Sequence, residues 1–215
     1  MHPIVRTYDE LNEIIKKNYT NPDFDLIQRA FAMAEGAHEG AVRLTGHPFV
    51  SHPLAVACKL AEMKMHLNVV AAGLLHDVVE DTGITLGDVE KQFGSDIANL
   101  VDSVTKLKNV RYHGADRYVE NMRKMFLAMA SDVRVIFIKF ADRQHNLQTL
   151  YAQPKHKQER IAREVLDIYA PIASRLGMGE MKGELEDLAF AYVLPKEYEH
   201  IKSIMDTKLR ERACT

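Results

Sequence analysis

The segment Leu74-Leu75-His76-Asp77-Val78-Val79-Glu80-Asp81-Thr82-Gly83 packs one imidazole and three carboxylates into six consecutive residues. Apolar spacing predicts that it forms the last turns of a helix beginning near Asn68. In that helix His76 stacks over Glu80, and Asp77 over both Glu80 and Asp81. Acids at the negative end of a helix are disfavoured by about 0.3–1 kcal/mol each when exposed, so the segment asks for a positive partner. A divalent cation supplies one, and adjacent imidazole and carboxylate ligands suit Mn²⁺, Fe²⁺ or Zn²⁺. An isolated doublet of this kind is more often a solvated helix end with a satisfied histidine, so the metal reading depends on ligands from elsewhere.

Two further residues qualify. His52 lies 24 residues before His76, in Val50-Ser51-His52-Pro53, at the first turn of its own predicted helix. Asp142 lies 65 residues after Asp77, inside Lys139-Phe140-Ala141-Asp142-Arg143-Gln144-His145-Asn146. A carboxylate in so apolar a stretch needs pairing or a metal if it is buried. The order His, then His-Asp, then Asp resembles the HD superfamily of metal-dependent phosphohydrolases. That resemblance makes His52, His76, Asp77 and Asp142 the metal ligands, with Mn²⁺ the cation taken forward.

The surrounding words narrow the resemblance. Gly46-His47-Pro48-Phe49-Val50-Ser51-His52-Pro53, His76-Asp77-Val78-Val79-Glu80-Asp81-Thr82, Val104-Thr105-Lys106-Leu107 and Tyr169-Ala170-Pro171-Ile172-Ala173-Ser174-Arg175-Leu176-Gly177 are similar to the hydrolase half of the RelA/SpoT enzymes. Those enzymes remove the 3′-diphosphate of ppGpp and pppGpp. The resemblance spans about residues 20 to 200 and implies an all-α fold, a single bundle of about ten helices. Carried over position by position, it makes Glu80 and Asp81 the catalytic acidic pair, and Arg43, Asn146 and Thr149 nucleotide contacts. Leu44 stands where the family often has a second basic residue, and Gln148 where it frequently has arginine. The chemistry of the residues agrees. Two imidazoles and two carboxylates leave coordination positions open for hydrolysis. Glu80 and Asp81 suit proton transfer, and the planar cation of Arg43 suits a purine face or a phosphate. Two other readings stay open: a phosphohydrolase for another nucleotide or phosphoester, and a catalytically silent regulatory module.

The remaining sequence constrains how these residues are carried. Over 215 residues, 47% are hydrophobic and 27% charged, which suits one folded domain, expected over residues 1–195, with a helical tail over 196–215. The tail leads, in longer family members, toward a nucleotide-synthesising domain, which is not expected within these 215 residues. The sequence leaves open whether this is an excised domain or a hydrolase-only protein. With 28 Lys plus Arg against 30 Asp plus Glu, the net charge of −2 offers no global field for nucleic acid or an anionic membrane. An anionic ligand must therefore be gripped by local cations. Two distant cysteines, Cys58 and Cys214, without metal spacing, and the lack of a signal-like start or bilayer-length apolar run lead us to expect a cytoplasmic protein.

Helical spacing dominates, as in Leu11, Ile14 and Ile15 or Leu26, Ile27, Ala30, Phe31 and Ala34. Starts are marked by Ser51 with Pro53, Asn68, Thr85 with Asp88, Ser95 and Ser131, and stops by Gly83, Gly94 and Gly177. Val133 to Phe140 is rich in β-branched residues and by propensity alone reads as a strand. Its apolar stripe continues into Ala141, His145, Leu147 and Leu150, and a lone strand would lack a partner, so a buried central helix is expected. Asn109 to Asp116 reads as a loop, and Pro171 as a kink or split in a late helix.

Overall fold

The computed structural model describes residues 5–108, 123, 125–127 and 129–213. The expected loop at Asn109 to Asp116, together with Cys214, lies outside them. The chain forms two compact units, residues 1–149 and 150–215. The boundary expected at 195/196 falls inside the second unit.

The first unit contains α1 (Tyr8–Asn18), α2 (Phe24–Ala37), α3 (Ser51–Glu62), α4 (Leu67–Leu75), α5 (Val78–Asp81), α6 (Leu86–Phe93), α7 (Ser95–Lys108) and α8 (Arg134–Gln148). Local chemistry starts several of these helices. At α1 Thr7 and Glu10 form a reciprocal capping box, and Thr85 with Asp88 does the same at α6. Gly94 ends α6 with φ of +83°, a conformation that a side chain would strain. Helix α4 is capped two residues earlier than expected, by the His66 ring accepting from Asn68 N–H.

Within this unit α3 packs against α1, α4 and α8, and α4 packs against α2 and α7. One apolar cluster fills the space, including Leu11, Ile27, Leu60, Leu74, Val101 and Ile138. Gly73 of α4 lies close against α3, where a Cβ would be 2.5 Å from Leu60 Cδ1. The β-rich run at 133–140 is helical, as its stripe requires: Val135, Ile136, Ile138 and Phe140 are all buried in α8. Tertiary burial overrides local β-propensity here.

One expectation is corrected. The helix from Asn68 does not run through Asp81 but stops at Leu75 and restarts at Val78. His76 Nδ1 donates to Gly73 O at 2.8 Å, the same carbonyl that Asp77 N–H would use in an uninterrupted helix. The break turns His76 and Asp77 inward, at 0% and 3% exposure, while Glu80 and Asp81 stay exposed on α5.

The second unit contains a 3₁₀ turn (Leu150–Ala152), α9 (Lys155–Glu164), a π turn (Val165–Tyr169), α10 (Ala170–Arg175), α11 (Gly179–Val193) and α12 (Pro195–Ala213). Pro171 does split its helix. The Ala170 N–H reaches Val165 O across the wider π turn. The register shift accommodates a residue that has no N–H and crowds the carbonyl four positions back. Among the described residues no strand forms, only the isolated bridge Val42–Pro48. The all-α bundle expected from the sequence is what they make, with a helix number close to expectation. No helix among them is long and apolar enough to cross a membrane.

Candidate metal centre

Three helices converge on one point of the first unit. The first turn of α3 brings His52, the break between α4 and α5 brings His76 and Asp77, and the middle of α8 brings Asp142. All four side chains are buried. One donor atom each from His52, His76 and Asp142 lies within 4.8 Å of the others. Asp77 adjoins this triad: its Oδ1 is 3.1 Å from His76 Nε2 and its Oδ2 is 3.5 Å from His52 Nε2. Asp142 Oδ1 lies 3.3 Å from His52 Nε2 and 4.0 Å from His76 Nε2. The two imidazoles meet edge to face, with ring centroids 5.1 Å apart.

The donor set fits a divalent cation on its own chemistry. His76 Nδ1 faces a carbonyl and so carries a proton, which in the neutral ring leaves the Nε2 lone pair pointing at carboxylate oxygens. That Nε2 is buried and makes no hydrogen bond. Lone pairs of two nitrogens and two carboxylates gathered out of water repel one another, and a cation at their centre reverses the sign of each interaction.

Helix α8 carries more than the sequence suggested. Its i, i+3 spacing sets Lys139 Nζ at 3.2 Å from Asp142 Oδ2, with both side chains 1% exposed. One turn on, Asn146 Nδ2 donates to Asp142 Oδ1 at 2.6 Å. Burial alone would raise the Asp142 carboxyl. Lys139 first, then the adjoining His52, Arg143 and His76, hold it well below the usual carboxylate range. Burial lowers the pKa of His52 against the pull of Asp142 and Asp77. His145 is pushed down to about 2 by burial and by the neighbouring His52 and Arg43. Its Nδ1 lies 2.8 Å from His52 Nδ1.

The positions expected to contact a nucleotide also gather here. Arg43 Nη2 donates to Asn146 Oδ1 at 3.2 Å, which links it to the Asp142 cluster. Its Nη1 is buried without a hydrogen-bond partner. Burial lowers the Arg43 pKa, while Asp77 and Asp142 oppose the shift. Arg43, Ser51, His145 and Thr149 line one small cleft. Thr149 caps α8 and donates its hydroxyl to His145 O at 3.0 Å. Leu44 and Gln148, where the sequence departs from its family, are both exposed. Sequence reasoning missed Lys139 and His145 as members of the cluster. Their signal is present as helical spacing from Asp142, but Lys139 reads in the sequence as an interruption of an apolar run and His145 as part of the stripe of α8.

The chain is 44% identical over 199 residues to the bifunctional (p)ppGpp synthase/hydrolase SpoT of Escherichia coli K12, covering 92% of this chain and 28% of that protein. It is 41% identical over 223 residues to a GTP pyrophosphokinase of Myxococcus xanthus, covering 98% of this chain and 30% of that protein. It thus spans less than a third of the length of these relatives. A solved structure, described as a metazoan orthologue of SpoT that hydrolyses ppGpp, superposes with a TM-score of 0.59 at 26% identity. The match covers 84% of this chain and 99% of that one. Residues 30–179, well over half of the chain, match the HD-domain family, and the chain belongs to that family.

Proposed function

We propose that the protein removes the 3′-diphosphate of ppGpp and pppGpp as pyrophosphate, leaving GDP or GTP, with Mn²⁺ as its cation. The observation that carries this reading is the convergence of His52, His76 and Asp142 on one buried point beside Asp77, with the acids Glu80 and Asp81 exposed on the very next helix. The relatives named as acting on (p)ppGpp support the substrate.

In this proposal His52, His76, Asp77 and Asp142 hold the cation. Bound there, it supplies Lewis-acid polarisation of a phosphoryl oxygen and lowers the pKa of water toward ~7. Glu80 and Asp81 orient the attacking water, take its proton and return one to the 3′-oxygen of the leaving ribose. Arg43 presents a fixed guanidinium to the guanine or its phosphates, and Asn146 and Thr149 position the nucleotide beside it. Lys139 and Arg43 offset the acids that flank an already anionic substrate. The catalytic domain is assigned to residues 1–195 with a tail over 196–215, acting in the cytoplasm.

Incubation of Mn²⁺-loaded protein with ppGpp and a panel of other nucleotides, followed by product chromatography, tests the proposal. GDP and pyrophosphate are the expected products. A strong preference for an unrelated phosphoester overturns it.

A further inference from the structure

We infer that His145 is a positioning residue that fixes the tautomer of His52, accepting the proton of its Nδ1 so that the Nε2 lone pair faces the cation site. The inference rests on the metal reading above.

The geometry allows only a short list of arrangements. The two Nδ1 atoms are 2.8 Å apart, so one of them carries the proton between them and the other accepts it. If His145 donates, the neutral His52 ring carries its own proton on Nε2. That proton then points at Asp142 Oδ1, 3.3 Å away, and Asp77 Oδ2, 3.5 Å away, where a cation must bind. If His52 donates, its Nε2 is bare and ready to ligate. Only the second arrangement is compatible with a metal, and it requires His145 Nδ1 to be the acceptor across the 2.8 Å contact. Metal-bound histidines generally hand their second N–H to a carboxylate or carbonyl. A second imidazole in that place makes the acceptor itself choose a tautomer. Both rings are buried, at 3% and 8% exposure, so water does not compete for the bond. The backbone of His145 is held in α8, three residues after Asp142, so one helix sets both a ligand and the partner of another ligand.

The consequence is measurable without turnover. In protein labelled with ¹⁵N-histidine and loaded with diamagnetic Zn²⁺, His52 is expected to show a protonated Nδ1 and a metal-bound Nε2. The metal-free parent is expected to show ¹⁵N–¹⁵N coupling across the His52–His145 hydrogen bond. His145→Phe removes the acceptor and is expected to weaken Zn²⁺ binding by about 10–100-fold. His145→Asn keeps an acceptor near the Nδ1 position and is expected to restore affinity to within a few-fold of the parent, which a purely space-filling role would not require. Unchanged affinity in His145→Phe, or an unprotonated His52 Nδ1 in the loaded protein, overturns the inference while leaving the metal site standing. Failure of the folded parent to take up Zn²⁺, with His76→Ala no different, removes the metal reading itself and the inference with it.

Discussion

Lys139 and Asp142 form an ion pair of 3.2 Å with both side chains 1% exposed, one turn apart on α8. Neither group can turn to water, so each is the other's principal compensation in the absence of a cation. Lys139→Met is therefore expected to destabilise the metal-free protein by about 3–5 kcal/mol, because it removes the principal partner of a buried carboxylate. Adding Asp142→Asn removes that charge and should recover a large part of the loss. Urea unfolding in the presence of a chelator measures both. A Lys139→Met loss of under about 1 kcal/mol, the usual worth of an exposed pair, would show that Asp142 finds its compensation elsewhere.

Much of this arrangement is legible in the sequence because short-range rules act without competition at the places concerned. Thr85 and Asp88 predict their own capping box, and Gly94 predicts its own stop. The strand-like propensity of Val133 to Phe140 yields to a stripe that only a helix buries on one side. The break at His76 is harder to foresee, since it depends on a ring taking a backbone carbonyl within the same turn. Lys139 and His145 are harder still. A lysine amid isoleucines and phenylalanines reads as an interruption until the partner three residues later is known to be buried. The imidazole of His145 gains a role only from His52, 93 residues earlier in the chain.

Gly73 tests whether the packing of α3 on α4 sets the position of His76. A Cβ there would meet Leu60 Cδ1 at 2.5 Å and Val56 Cγ1 at 3.4 Å, and Leu60 is fully buried. For Gly73→Ala the gain in helix propensity, about 1 kcal/mol, nearly offsets a modest overpacking cost. Gly73→Val adds branched atoms against the same wall and is expected to cost about 1–3 kcal/mol. It should also weaken metal binding, because the carbonyl of residue 73 holds His76 Nδ1. Denaturant melts and metal titration of the two variants check this. Full metal affinity in Gly73→Val would separate the helix contact from the site.

Asp96 carries a pH signature well away from the metal cluster. It accepts from Arg134 Nη2 at 2.6 Å and from Asn68 Nδ2 at 2.7 Å. The hydrogen bonds from Arg134 and then Asn68 lower its pKa from 3.8 to about 2. A carboxyl whose pKa is depressed by folding stabilises the native state above its unfolded value and loses that contribution as pH falls through the folded value. The gap in melting temperature between the parent and Asp96→Asn should thus be full above pH 3.8 and close as the pH approaches about 2. Because the Asp96 side chain is 44% exposed, added salt should narrow the gap as well. A gap that persists unchanged to pH 2 would assign the stabilisation to shape rather than charge.

The division of labour between ligands and acids is the sharpest test of the proposed chemistry. The break after Leu75 buries His76 and Asp77 and leaves Glu80 and Asp81 exposed on the four-residue helix that follows. Asp81 N–H is tied to Asp77 O at 2.9 Å, so the acidic pair is held in register with the His76-Asp77 step without being part of the buried cluster. Removing a positioned proton-transfer group typically costs ~10²–10⁴-fold in rate. Removing a ligand should lower metal affinity as well. Glu80→Gln and Asp81→Asn, which preserve size, are therefore expected to keep the metal and bind ppGpp while turnover falls by roughly 10²–10⁴-fold. His76→Ala and Asp142→Ala are expected to lose metal and turnover together. If the two acids only solvate the short helix α5, neutralising them should leave turnover unchanged. Loss of metal from Glu80→Gln would instead move that residue into the ligand set, so metal content must be measured on the same preparations whose turnover is assayed.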